Sequence, residues 1–241
     1  MPQGRKALGN QAFSPSSPVI PTPDRIREIR RRIVAFGSKN YQSFPWRNPS
    51  QNWHALLAEV LLQRTRANSV VSVYEQFVFA FATPSKLKQA SVKKIEKLLY
   101  PLGLRWRAPL IKKLARALDE RGGAPPTSLA ELITLPGVGP YAAAAYLGFH
   151  TNSRAVIIDA NVVRFLCRLI DYSYDGETRR KPWLLDFADR MTPRRNVKRF
   201  NYSLLDFTMQ ICTTRPKCEQ CPVGPKLCIY GQKIQEPVKL S

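Results

Sequence analysis

The sequence is poor in acid. It carries 17 Asp+Glu against 38 Lys+Arg, a formal net charge of +21. Basic clusters recur along the chain, as at Arg30 to Arg32, Arg105 and Arg107, Arg179 to Lys181, Arg194 and Arg195, and Lys198 and Arg199. Such an excess points to a polyanion, most often nucleic acid; a merely solvated surface is the alternative. No run of 18 apolar residues occurs, which excludes a membrane-spanning helix. The segment after Met1 leads into no apolar stretch, so a secretory signal is not expected, and an intracellular location (cytoplasm or nucleoid) is. In that reducing setting clustered cysteines read as metal ligands rather than disulfides. Histidine is scarce: His54 and His150 have no partner pattern and both read as structural. Alternating strand patterns and internal repeats are missing as well, so the expected fold is all-α.

With 241 residues, 44% of them hydrophobic, the chain has material for one good-sized core or two small lobes. Residues 1–23 are rich in Pro, Ser and Gly and read as a flexible tail. A helix is expected from about Asp24, with Ile26, Ile29, Ile33 and Phe36 on one face. Further helices are expected over residues 53–66, with Leu56, Leu57, Val60 and Leu61 as its apolar face, and over 68–81, 110–118, 161–170, 182–191 and 197–212. Thr83 and Ser91 are N-cap signals for two short ones.

The most informative stretch is Leu135-Pro136-Gly137-Val138-Gly139-Pro140-Tyr141, with Asp159 eighteen residues after Tyr141. Ser128 and Glu131 form a capping box opening a short helix, which Pro136 and Gly137 stop. Pro140 suits the first position of the next helix, where a missing N–H costs nothing. Two helices joined by a glycine turn leave bare N–H groups at the second N-terminus, a place for an anion such as a phosphate. Asp159 precedes a helix, where it serves as an N-cap and where the dipole favours negative charge.

Near the end, Cys212, Cys218, Cys221 and Cys228 form C-x5-C-x2-C-x6-C within seventeen residues. Spacing alone is compatible with tetrahedral zinc or with an iron–sulfur cube taking one thiolate per iron. Cys167, the fifth, reads as a buried small residue.

The hairpin string followed by Asp159-Ala160-Asn161 resembles the helix-hairpin-helix signature of the endonuclease III/MutY superfamily of DNA glycosylases. The resemblance extends over about residues 25–230 and includes Phe44 to Arg47, Glu59 and the Leu61-Leu62-Gln63-Arg64-Thr65 string. It implies two helical lobes flanking a DNA-binding cleft. One is a six-helix barrel over residues 51–149 carrying the hairpin. The other joins residues 24–50 to residues 150–230, with a [4Fe–4S] loop over 212–228 and a tail at 231–241. The family loop reads C-x6-C-x2-C-x5-C, so the inner pair here is displaced by one residue. Arg215, Lys217 and Lys226 around these cysteines are placed to meet a phosphate backbone, and the cluster is expected to be structural or redox-sensing.

The resemblance further implies that Gly137, Val138 and Gly139 grip a phosphate, that Gln63 and Arg64 enter the gap left by an extruded base, and that Leu104 and Arg105 form a second wedge. Asp159 is expected to stabilise the oxocarbenium-like sugar and to position or deprotonate water, with Glu59 lining the base pocket. Tyr141 stands where bifunctional relatives carry a lysine; a phenol cannot form a Schiff base, so base release without strand cleavage is expected. Asp159-Ala160-Asn161 in place of Asp-Gly-Asn, and the Leu62-Gln63-Arg64 string, lean towards thymine or uracil opposite guanine. Adenine opposite guanine or 8-oxoguanine is the alternative, and a non-catalytic DNA-binding protein is a third possibility. The partner in each case is double-stranded DNA, met by a monomer.

Overall fold

The computed structural model describes residues 18–151 and 153–235, and every regular element among them is helical. The sequence calls on residues 1–17 and 236–241 lie outside the described residues. Helix α1 spans Pro23–Lys39, with Thr22 accepting from the Arg25 N–H as its cap and Ile26, Ile29 and Ile33 buried along one face. A short 3₁₀ turn, Pro45–Arg47, leads into α2, Asn52–Leu61. Then follow α3, Ala67–Ala80, and the short α4 and α5, Pro84–Gln89 and Val92–Leu99. The side chains of Thr83 and Ser91 accept from the N–H groups of Lys86 and Lys94, so both expected caps form.

After α6, Ala108–Asp119, the capping box closes as anticipated. Ser128 Oγ accepts from the Glu131 N–H at 3.3 Å and donates to the Glu131 carboxylate at 2.6 Å, opening α7, Leu129–Leu132. The remaining helices are α8, Pro140–His150; α9, Ala160–Leu169; α10, Pro182–Met191; α11, Val197–Gln210; and α12, Ile229–Gln235.

Two hydrophobic clusters organise the chain. One gathers Trp46 with the apolar side chains of α2 to α8, among them Leu56, Phe77, Ile95, Ile111 and Tyr146. The other gathers α1 with α9, α10 and α11 and reaches Cys212 and Val223 beyond them. The chain therefore starts in the second cluster, builds the first, and returns. A smaller group, Ala145, Phe149, Ile157 and Tyr202, packs α8 against α11 where the two meet. The helix α2 departs from the amphipathic pattern: every residue from Trp53 to Leu61 is buried, Glu59 included. A polar side chain in that setting needs a partner, because an unpaired buried group costs about 1–3 kcal/mol.

Candidate active site

A cleft of about 700 Å³ opens between the two clusters and is lined by Glu59, Tyr141, Asp159, Asn161, Arg164 and Tyr202, with Thr65 to Ser69 along one side. A larger hollow, about 890 Å³, lies between the ends of α1 and α11. Its lining includes Arg194, Arg195, Lys198 and Arg199 but no carboxylate.

Asp159 caps α9. Its Oδ1 accepts from the Val162 N–H at 2.7 Å and its Oδ2 from the Asn161 side-chain amide at 3.0 Å. Asn161 Oδ1 in turn accepts from Arg164, whose guanidinium also donates to the carbonyls of Thr208 and Cys212. The carboxylate is thus oriented by its own helix and, through two further side chains, by the start of the cysteine loop. Asn161 and Arg164 were not singled out as site residues from sequence; only their one-turn spacing along α9 hinted at the link.

Tyr141 sits in the first turn of α8 and keeps 38% of its surface open to solvent. Burial nonetheless raises its phenol well above the usual tyrosine range, and the negative charges of Asp159 and Glu59 add to the effect. Both carboxylates line the same cleft as the phenol. Glu59 is 5% exposed, and its Oε1 lies 2.8 Å from Nε2 of His150 at the end of α8. His150, which has no partner pattern in the sequence, has a partner in the fold: α8 runs beside α2 and brings the imidazole to the glutamate, a contact ninety-one positions apart. His54 is structural, bonded to Ser50 and to the Phe81 carbonyl, and burial lowers its pKa.

The hairpin turn supplies the rest. Gly137 has φ +81°, and a Cβ there would come within 3.0 Å of Leu110. Gly139 has no such constraint; a Cβ on it meets nothing within 4 Å. It is the N-cap of α8 and has no side chain to satisfy the first N–H groups of the helix, which are left for an outside acceptor. Val138 between them is buried and packs in the first cluster, so only its backbone is available. Gln63 donates from its amide to the Gly137 carbonyl at 3.0 Å, and Arg64 holds a left-handed backbone with φ +62°. Buried Arg107 fixes this loop by donating to the carbonyls of Val60 and Gln63.

The expected wedge at Leu104 is not presented. Leu104 is 8% exposed and belongs to the first cluster, because the 3₁₀ turn Arg105–Arg107 folds it inward. What the turn shows to solvent is Trp106, 68% exposed and lying over buried Arg107, and Arg105 over the ring of Tyr100.

Cys212, Cys218, Cys221 and Cys228 line one small apolar pocket together with Phe165, Phe207 and Val223. Donors converge on the sulfurs: Arg168 reaches Cys212, the Gly231 N–H reaches Cys228, and the Val223 and Gly224 N–H groups reach Cys221. Burial pushes the Cys228 thiol up to about 11. Among the described residues no group of three or more His, Cys, Asp or Glu is arranged to hold a metal ion. Four cysteines on one pocket with N–H groups aimed at sulfur are the donor set that an iron–sulfur cluster uses. No helix among the described residues is long and apolar enough to cross a membrane.

Comparison with known proteins agrees with this architecture. The chain is 35% identical over 90% of its length, and 97% of the relative's, to a thymine/uracil-DNA glycosylase of Pyrobaculum aerophilum. It is 36% identical to a thymine-DNA glycosylase of Aeropyrum pernix, covering 86% of this chain and 95% of that one. Among solved structures, a thermostable thymine-DNA glycosylase superposes with a TM-score of 0.80 at 31% identity, over 87% of this chain and 98% of the other. The profile of the HhH-GPD superfamily base excision DNA repair proteins matches residues 57–182, and the chain belongs to that superfamily.

Proposed function

We propose that the cleft hydrolyses the N-glycosidic bond of thymine or uracil mispaired with guanine in duplex DNA and leaves an abasic site. The protein is a base-excision DNA glycosylase. The reading for this cleft is carried by one observation: Asp159, Glu59 and Tyr141 all line it. Flipping a base out of the stack costs a few kcal/mol and is cheapest at a mismatch. As the base departs, positive charge grows on the sugar, and the fixed Asp159 carboxylate stabilises it and orients the attacking water. Glu59 and Tyr141 hydrogen-bond the pyrimidine. Tyr141 has no amine, so no Schiff base forms and the strand stays intact.

The backbone of Gly137 and Gly139 grips a phosphate beside the lesion, and Gln63 and Arg64 fill the gap that the extruded base leaves. At the second contact, Arg105 and Trp106 take the place first expected for Leu104. The protein acts inside the cell, at the nucleoid, as a monomer. Cys212, Cys218, Cys221 and Cys228 hold a [4Fe–4S] cluster, which supplies a structural or redox-sensing centre rather than a step in base hydrolysis. Arg215, Lys217 and Lys226, on the loop around it, then face the DNA backbone.

The decisive experiment incubates purified protein with duplexes containing T·G, U·G, A·G or A·8-oxoguanine and treats the products with alkali. Cleavage of the T·G and U·G strands only after alkali is expected. Release of adenine alone, or binding without release from any duplex, overturns the assignment. Iron and sulfide analysis of the same preparation tests the cluster; zinc in place of iron overturns it.

A further inference from the structure

Glu59 and His150 form a closed pair. Their side chains are 6% and 2% exposed, and Glu59 Oε1 lies 2.8 Å from His150 Nε2. The other imidazole nitrogen, Nδ1, is buried without a hydrogen-bond partner, as is the hydroxyl of Tyr202. The Tyr202 ring packs edge-on to the imidazole at 6.4 Å, and Tyr146 lies along its other side at 6.1 Å.

This geometry admits few proton placements. With the hydrogen on Nε2 the imidazole donates to a Glu59 carboxylate. With it on Nδ1 the imidazole accepts from a Glu59 carboxylic acid. A doubly protonated ring beside a carboxylate is the third state; it differs from the second only in the position of the proton between Glu59 and Nε2, and in both the Nδ1–H has no acceptor.

The surrounding charges are few and fixed. From α11 come Tyr202 and Asp206, the latter bound to Arg47 of the turn before α2, whose guanidinium lies 4.4 Å from the Tyr202 ring. From the cleft side come Tyr141 and Asp159. Tyr146 is the further titratable group on α8 itself.

Resting on the glycosylase reading above, we infer that His150 is a positioning residue for Glu59. It holds the carboxyl towards the base pocket and shares one proton with it, so that Glu59 meets the extruded pyrimidine as acceptor or donor according to where that proton resides. The shared proton passes between the Glu59 carboxyl and Nε2 of an imidazole that already carries a hydrogen on Nδ1, so the proton lost by one partner is the proton gained by the other. A histidine filling space against Tyr146 and Tyr202 does not have this consequence.

The test combines H150A and H150Q with E59Q. Single-turnover release from a T·G duplex is expected to fall about 10-fold or more in H150A with duplex Kd unchanged. Gln keeps an N–H donor but takes up no proton. H150Q should therefore recover most of the rate lost in H150A while flattening the pH profile of the wild type. In the free protein, the ¹⁵N shifts of the His150 ring should report a changed tautomer balance or titration in E59Q. The inference is overturned if H150A and H150Q behave alike, if the wild-type pH profile persists in both, or if E59Q leaves the ring shifts unmoved. Should the wild type release no base from any duplex, the glycosylase reading fails, while the ring shifts in E59Q still decide whether the pair shares a proton.

Discussion

Arg47 and Asp206, 159 positions apart, form a two-point ion pair beneath the cleft, with Nη1 2.8 Å from Oδ2 and Nη2 2.6 Å from Oδ1. Both side chains are essentially closed to solvent, and the Gln42 N–H donates to the same carboxylate. Burial is the largest single influence on the Arg47 pKa and lowers it; the hydrogen bonds to Asp206, the charge of that carboxylate and the phenols of Tyr41 and Tyr202 together outweigh it and raise the pKa. The pair joins the turn before α2 to α11. Removing one member strands a buried charge, so R47M or D206L alone should cost about 3–5 kcal/mol in urea unfolding. The double variant should recover part of that loss, and equal losses in single and double variants would contradict the argument.

Asp159 has two roles that substitution separates. Asn is as good an N-cap as Asp, so D159N should keep the urea midpoint while base release drops about 100-fold or more. D159A should lose the same activity and a further ~1 kcal/mol of stability. A D159N protein that unfolds early would mean that the charge, not the cap, supports the helix.

The phenol of Tyr141 is raised well above its ordinary value by burial and by the carboxylates of Asp159 and Glu59. A raised pKa in an acid keeps the neutral form populated to higher pH. Tyr141 should therefore stay a hydrogen-bond donor past about pH 10, where a free tyrosine is half ionised. An ultraviolet titration of wild type against Y141F measures this directly; ionisation of Tyr141 at or below pH 10 would refute it.

The two hairpin glycines should fail differently. G137A forces a left-handed residue against Leu110 and should cost about 1–3 kcal/mol. G139A should fold normally yet bind duplex more weakly, with a shallower dependence of log Kd on log salt. Wild-type affinity itself should fall steeply as salt rises. Equal stability losses in the two variants would place both glycines in a purely structural role.

Local signals carried far in this chain. Thr83, Ser91, Ser128 and Asp159 announced helix starts because caps are written in one or two neighbouring residues. The hairpin was legible for the same reason: Gly137 sits at the positive φ that only glycine adopts freely. What sequence hid is what depends on which helix lies beside which. Glu59 looked like the flank of an amphipathic helix, yet α2 is enclosed on all sides, and its partner His150 arrives from α8. Leu104 looked exposed among arginines, yet a 3₁₀ turn folds it inward and leaves Trp106 outside. Neither follows from periodicity, because both are settled by contacts across the tertiary fold.

The floor joining the two sides of the cleft is stitched by groups with no water to exchange with: Arg47 to Asp206, and buried Asn201 donating to the carbonyls of Gly148 and Ala155. Opening and shutting like a jaw would break those bonds in a dry interior. The compliance has to come from the nucleic acid, which must kink to present its lesion to a fixed gap. Mismatches embedded in easily bent pyrimidine–purine steps should for that reason be engaged faster than the same mismatch within a stiff A-tract.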